Sequence, residues 1–118
     1  MKNILIAEDT YSNYLLLSVI LNKHYNLAHA VNGQEAVEMF KAQAYDVVLM
    51  DTKMPIMDGL QATREIRKMN ANVPIIALTA NAFESDHQKA TEAGCTEYMT
   101  KPIVAKELID LLKRILGE

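Results

Sequence analysis

The chain has 118 residues, of which 50% are apolar and 23% charged, and it carries a net charge of −3. That suits one globular domain with a real hydrophobic core, and no basic run is present of the kind that gripping a nucleic acid requires. Cys95 is the only cysteine, which excludes an internal disulfide and fits a reducing compartment.

The first apolar run, Asn3–Ala7, predicts a strand; Glu8-Asp9 cuts it off too early for the core of a secretory leader. Ser12–Lys23 places Leu15, Leu16, Val19 and Ile20 at helical spacing, with Tyr14 beside them, and most of these are expected in the core. Leu27–Val31 predicts a second, more polar strand. Gln34–Ala42 predicts a helix, with Asn32 placed to cap it and Glu35 to close a capping box. Asp46–Met50 reads as the third strand. Leu60–Lys68 reads as a helix with Ala62, Ile66 and Met69 inward and Arg64, Glu65 and Lys68 outward. Pro74–Leu78 is the fourth strand, and the helix Phe83–Ala93 stops at Gly94, a good C′ residue. Glu97–Thr100 is a weaker fifth strand, and Val104–Leu116 carries Leu108, Leu111, Leu112 and Ile115 on one stripe.

The first, third and fourth runs are almost unbroken Val, Ile, Leu and Ala, the pattern of strands buried on both faces of a parallel sheet. The other two fit the sheet edges. Five strands alternating with five helices predict an α/β fold in one domain over residues 1–118. Right-handed crossovers leave the flavodoxin-like (βα)5 doubly wound sandwich, a parallel five-stranded sheet in the order 2-1-3-4-5, as the expected topology. No stretch reaches the roughly 18 to 20 apolar residues that cross a bilayer. A cytoplasmic protein, or the cytoplasmic part of a larger membrane sensor, is therefore expected.

In such sheets function gathers at the carboxyl ends of the strands. Those ends hold Glu8 and Asp9, Asp51, Thr79, and Lys101-Pro102. The proposed order makes the first and third strands neighbours, which crowds three acids. Two like charges about 4 Å apart repel by about 4 kcal/mol at an effective dielectric near 20, so a cation belongs there. Oxygen donors with no His or Cys select a hard ion, and Mg2+ is the cellular choice, with Mn2+ as an alternative. Asp51 then suits a carboxylate nucleophile toward phosphorus, Lys101 a counter-charge, and Thr79 a hydrogen-bond donor to a phosphoryl oxygen. Taken singly each has an ordinary reading: Asp9 as a helix-start charge, Thr79 as a plain strand end, Lys101 as a solvated cation. Their joint appearance at four strand ends favours the chemical one.

These residues resemble the receiver domain of two-component response regulators. The resemblance spans nearly the whole chain and rests on Glu8-Asp9, Leu49-Met50-Asp51 with Met54-Pro55 and Met57-Asp58-Gly59, Ala77-Leu78-Thr79-Ala80, and Tyr98-Met99-Thr100-Lys101-Pro102. It is similar in feel to receivers of hybrid sensor histidine kinases, through Met57–Arg64 and Ala80–Phe83. The resemblance implies that Asp51 is phosphorylated and that Glu8, Asp9, Asp51 and the Lys53 backbone carbonyl hold Mg2+. It also implies that Thr79 and Tyr98 act as the switch pair, that Lys101 pairs with the phosphoryl group, and that Lys101-Pro102 is a cis peptide. Pro55 and Gly59 would shape the loop after Asp51. The implied partner is a histidine kinase or histidine phosphotransfer protein, with no direct binding of nucleic acid or membrane, and the implied state is a monomer or weak dimer. The domain would be a signalling acceptor rather than an enzyme.

Lys53 and Asn81 follow Asp51 and Thr79 by two residues each and are expected to overhang and tune the site. Lys53 would pair with Glu8 or the phosphoryl group and slow attack by water, or else be a solvated lysine worth under about 1 kcal/mol. Met54 and Met57 read as packing residues. His24, His29 and His87 lack metal-ligand spacing and read as structural, His87 on a polar helix face. Two rival functions fit less well. A phosphohydrolase of the haloacid dehalogenase type needs a second Asp where Lys53 stands. Flavin binding needs a Ser-, Thr- or Gly-rich phosphate loop where Glu8-Asp9 stands.

Overall fold

The structure is a computed structural model that describes residues 1–80 and 84–118. Asn81, and Phe83 at the expected start of the fourth helix, lie outside the described residues. The strands are β1 (Asn3–Ala7), β2 (Asn26–Ala30), β3 (Val47–Asp51), β4 (Ile75–Thr79) and β5 (Glu97–Thr100). The helices are α1 (Tyr11–Leu21), α2 (Gly33–Ala42), α3 (Gly59–Met69), α4 (Glu84–Ala93) and α5 (Ala105–Leu116). All strand pairs are parallel, in the order β2-β1-β3-β4-β5, as the sequence predicts.

Side chains two apart in a strand share a face, and that rule divides the core in two. Ile4 and Ile6 of β1, Val47 and Leu49 of β3, and Ile76 and Leu78 of β4 pack with Leu17, Leu21, Leu108 and Leu112 of α1 and α5. Leu5 and Ala7, Val48 and Met50, and Ile75 pack on the other face with Ala36, Val37, Ala62 and Ile66 of α2 and α3. The register sets Ala7 opposite both Ala30 and Met50, Asp51 opposite Leu78, and Thr79 opposite Thr100. The carboxyl ends of β1, β3, β4 and β5 therefore finish at one edge.

The helix ends follow from local chemistry. Asn32 accepts from the Glu35 N–H at 2.7 Å and Asp58 from the Gln61 N–H at 2.8 Å. Glu35 reaches back to the Val31 N–H at 3.2 Å, one residue before the cap. Gly94 follows α4 with φ +111°, the conformation glycine supplies without strain.

Three expectations need correction. Strands β3 and β4 start and end one residue later than their apolar runs, and β2 one residue earlier. Asp46 is held outside β3 by its carboxylate, which accepts from the Asn3 N–H at 2.7 Å, and Pro74 lacks an N–H to give the ladder. Met69 is the last residue of α3, where the helix gives way to the Asn70 cap, and is 41% exposed; Thr63 is buried instead and donates to the Gly59 carbonyl at 2.8 Å. Helix α1 turns Leu17 and Leu21 inward and leaves Tyr11, Leu15, Leu16 and Val19 between 46% and 67% exposed. A helix apolar on every side has no pattern to mark its buried face, and only packing decides it.

Candidate functional site

Each acid of the site is delivered by the end of a strand. Glu8 directly follows β1 and is wholly buried; Asp51 is the last residue of β3 and 5% exposed; Asp9 is exposed at the rim. One carboxylate oxygen from each of the three lies within 4.8 Å of the others. Across from them Lys101 extends from the end of β5, its Nζ 3.1 Å from Glu8 Oε2 and 3.4 Å from Asp51 Oδ2. Glu8 Oε1 also accepts from the Thr10 N–H and Asn13 Nδ2, each at 3.3 Å. The Lys101-Pro102 peptide is cis.

The loop after β3 is fixed by close backbone approach. Gly59 donates to the Thr52 carbonyl at 3.1 Å, and a Cβ on it would sit 1.9 Å from the Asp51 carbonyl oxygen. Gly33, at the start of α2, donates to the Met57 carbonyl at 2.9 Å, and a Cβ there would come within 2.1 Å of that oxygen. Both positions admit only glycine, and together they pin the loop that carries Lys53. Met54 and Met57 pack against the α2–α3 side of the core, as expected of them.

Electrostatics follow from this crowding. Burial pushes the Asp51 carboxyl up to about 6; the charge of Glu8 pushes in the same direction, while the Lys53 N–H, which donates to Asp51 Oδ1 at 3.1 Å, and the Lys101 ammonium oppose it. At neutral pH the carboxylate form still dominates. Burial acts to lower the Lys101 value, but its pairing with Asp51 and Glu8 wins and holds it above the ordinary lysine range. A cluster of all-oxygen donors with a net negative charge fits a hard divalent cation and nothing softer.

Thr79 closes β4 at 6% exposure, and its carbonyl accepts from the Lys101 N–H at 2.7 Å. It lines a cleft of about 350 Å3 with Thr52, Lys53, Met54, Asp58, Leu60, Asp86 and Lys89. The Lys53 side chain is exposed in that cleft and makes no ion pair among the described residues; Lys101 occupies Glu8. Asn81, expected to overhang the same cleft, lies outside the described residues. Tyr98 is 43% exposed, its ring stacked on His87 with centroids 3.5 Å apart. His87 is therefore part of a packed pair, with Nε2 buried, and not a residue of an open polar face, because β5 brings an aromatic ring against it. Sequence reasoning missed Asn13, whose partner is five residues away on the turn into α1, and His29, whose Nε2 lies 2.7 Å from the Glu8 carbonyl. Neither has a motif; only the turn geometry and the β1–β2 register reveal them.

Comparison with known proteins agrees with this geometry. The family model of the response regulator receiver domain matches residues 4–113. Hybrid signal transduction histidine kinase I of Dictyostelium discoideum is 38% identical over 121 residues; the match takes in 94% of this chain and only 7% of that much longer protein. The receiver domain of a sensor histidine kinase from Pseudomonas aeruginosa PAO1, solved with a magnesium ion coordinated in its active site cleft, superposes with a TM-score of 0.92 at 38% identity, covering 99% of this chain and 98% of that one. The receiver domain of Ssk1 from Saccharomyces cerevisiae, solved with the histidine phosphotransfer protein Ypd1, gives 0.91 at 32% identity, covering 98% of this chain and 89% of the other. With the acidic cluster, the lysine and the strand order already in place, the chain belongs to the response regulator receiver domains of two-component signal transduction.

Proposed function

We propose that this domain accepts a phosphoryl group on Asp51 from a phosphohistidine of a histidine kinase or histidine phosphotransfer protein. The observation that carries the reading is the placement of a buried, nucleophilic carboxylate within reach of Glu8, Asp9 and Lys101 at the open edge of the sheet. A P–O bond to Asp51 forms as the P–N bond to the donor imidazole breaks, and the imidazole leaves with the electron pair of that bond. Glu8, Asp9, Asp51 and the Lys53 carbonyl would hold Mg2+ or Mn2+, which when bound supplies positive charge against the phosphoryl oxygens. Lys101 would face those oxygens from the other side, and the hydroxyl of Thr79, at the end of β4, would donate to one of them. The domain takes up and later releases one group; it is an acceptor, not a turnover enzyme.

A phosphoryl group adds a charge near −2 at Asp51. Thr79 is drawn toward it, Tyr98 leaves its stack on His87 and turns inward, and the face built from α4, β5 and α5 changes shape. Lys53, exposed in the cleft beside the product, would set how readily water reaches it.

The donor docks on the exposed apolar side of α1. Tyr11, Leu15, Leu16 and Val19 form that side, and Leu16 also lines a small pocket with Glu8, Asn13, Lys101, Pro102 and Ile103, so the apolar surface runs directly into the acidic site. The yeast relative bound to a histidine phosphotransfer protein supports a partner of this class. Incubation with a phosphorylated histidine phosphotransfer protein and Mg2+ tests the reading by intact mass. A gain of about 80 Da on this chain, matched by loss from the donor and absent in Asp51→Asn, is expected. Loss from the donor with no dependence on Asp51 would refute it.

A further inference from the structure

Residue 8 is where β1 leaves the sheet. The Glu8 N–H still donates to the Ala30 carbonyl at 3.0 Å, but the β1–β2 register ends at Ala7 and Ala30. The Glu8 carbonyl thus stands beyond the ladder while its residue is wholly buried, and a buried carbonyl needs a donor. His29, opposite Ile6 on β2, supplies it: Nε2 lies 2.7 Å from that oxygen, and since a carbonyl only accepts, Nε2 carries the proton. The imidazole is held in turn from α1. The Tyr14 ring lies flat on it, centroids 3.7 Å apart and planes 4° from parallel.

The peptide that His29 grips is the one joining Glu8 to Asp9, the two residues that bring two of the three clustered carboxylates. We infer that His29 is a positioning residue for the divalent-cation site: its N–H fixes the Glu8–Asp9 peptide, and Tyr14 fixes the imidazole. This rests on the reading that Glu8 and Asp9 hold the ion. The hydrogen bond orients the ligand pair without touching the ion, a role for which loss of the partner weakens metal binding about 10- to 100-fold.

Calorimetric titration of the intact chain with Mg2+ tests this, comparing wild type with His29→Phe and His29→Gln, and with the fold of each variant checked by thermal unfolding in EDTA. Phenylalanine keeps the ring against Tyr14 and removes the donor; glutamine loses the ring and keeps an N–H within reach. His29→Phe is expected to unfold near the wild-type temperature and to bind Mg2+ about 10-fold more weakly, with His29→Gln closer to wild type. Wild-type affinity in His29→Phe overturns the inference while leaving the cation site standing. Equal weakening in both variants also overturns it, because the donor would then not be what matters. A wild-type chain that binds no Mg2+ removes the reading of the site itself, and this inference with it.

Discussion

A carboxyl group buried beside two others resists ionising, and Asp51 accordingly titrates near 6 in the metal-free site rather than at its ordinary 3.8. Since the folded value lies above the unfolded one, the folded state binds this proton more tightly. The contribution to stability is fully present below about pH 4 and is lost as pH rises through about 6. Above that range the metal-free protein carries a charge that its surroundings disfavour. Asp51→Asn removes the charge. In EDTA at pH 7.5 it is expected to be more stable than wild type by about 2 kcal/mol, a figure discounted for the shared interactions with Glu8 and Lys101. Urea unfolding at pH 7.5 and at pH 4 checks it: the gap should close at the lower pH, and a gap independent of pH would contradict the assignment.

At the scale of an element, α1 separates the residues that fold the domain from those the proposed docking would use. Leu17 and Leu21 are buried against β1, β3 and α5, while Val19, two residues from each, is 67% exposed. Leu17→Ala should lose about 3 kcal/mol through lost burial and the cavity left behind. Val19→Ser should change stability by under about 0.5 kcal/mol and yet slow phosphotransfer from a protein donor, with phosphorylation by acetyl phosphate unchanged. Paired unfolding and transfer assays would show it; an equal effect with both donors would count against docking on α1. The sequence could not make this division. Where apolar and charged residues alternate cleanly, as in α3 and α5, spacing located the buried face, with Met69 at the very end of α3 the exception. In α1 every side is apolar, so periodicity was silent. Asp51, Thr79 and Lys101 were legible because strand ends are easy to find and their residue types are chemically unusual together. Asn13, His29 and the close approach at Gly33 were not, because each depends on contacts between segments far apart in the chain or on the path of a turn.

Across the whole molecule, Lys101 joins the strand ends. It comes from β5 at the sheet edge and reaches Glu8 after β1 and Asp51 on β3, crossing β4 to do so. Removing it leaves Glu8 buried and its charge uncompensated. Lys101→Ala is expected to destabilise the metal-free protein by about 2 kcal/mol, below the usual loss for a fully buried pair because the Lys101 side chain is 25% exposed. Saturating Mg2+ should shrink that loss, since a bound cation restores the compensation. Thermal unfolding with EDTA and with Mg2+ compares the two, and a loss of the same size in both would mean that the acids and the lysine do not share one site. In the proposed switch, a charge gained at Asp51 would act through Lys101 on strands from the middle of the sheet to its edge.

The most direct test of the central claim is to locate the acyl phosphate. The chain is treated with acetyl phosphate and Mg2+, reduced with borohydride, which converts an aspartyl phosphate to homoserine, and sequenced by mass spectrometry. Homoserine is expected at position 51, lost when EDTA replaces Mg2+ and in Asp51→Asn. Homoserine at position 9 or elsewhere, or none at all in folded protein that binds Mg2+, would contradict it.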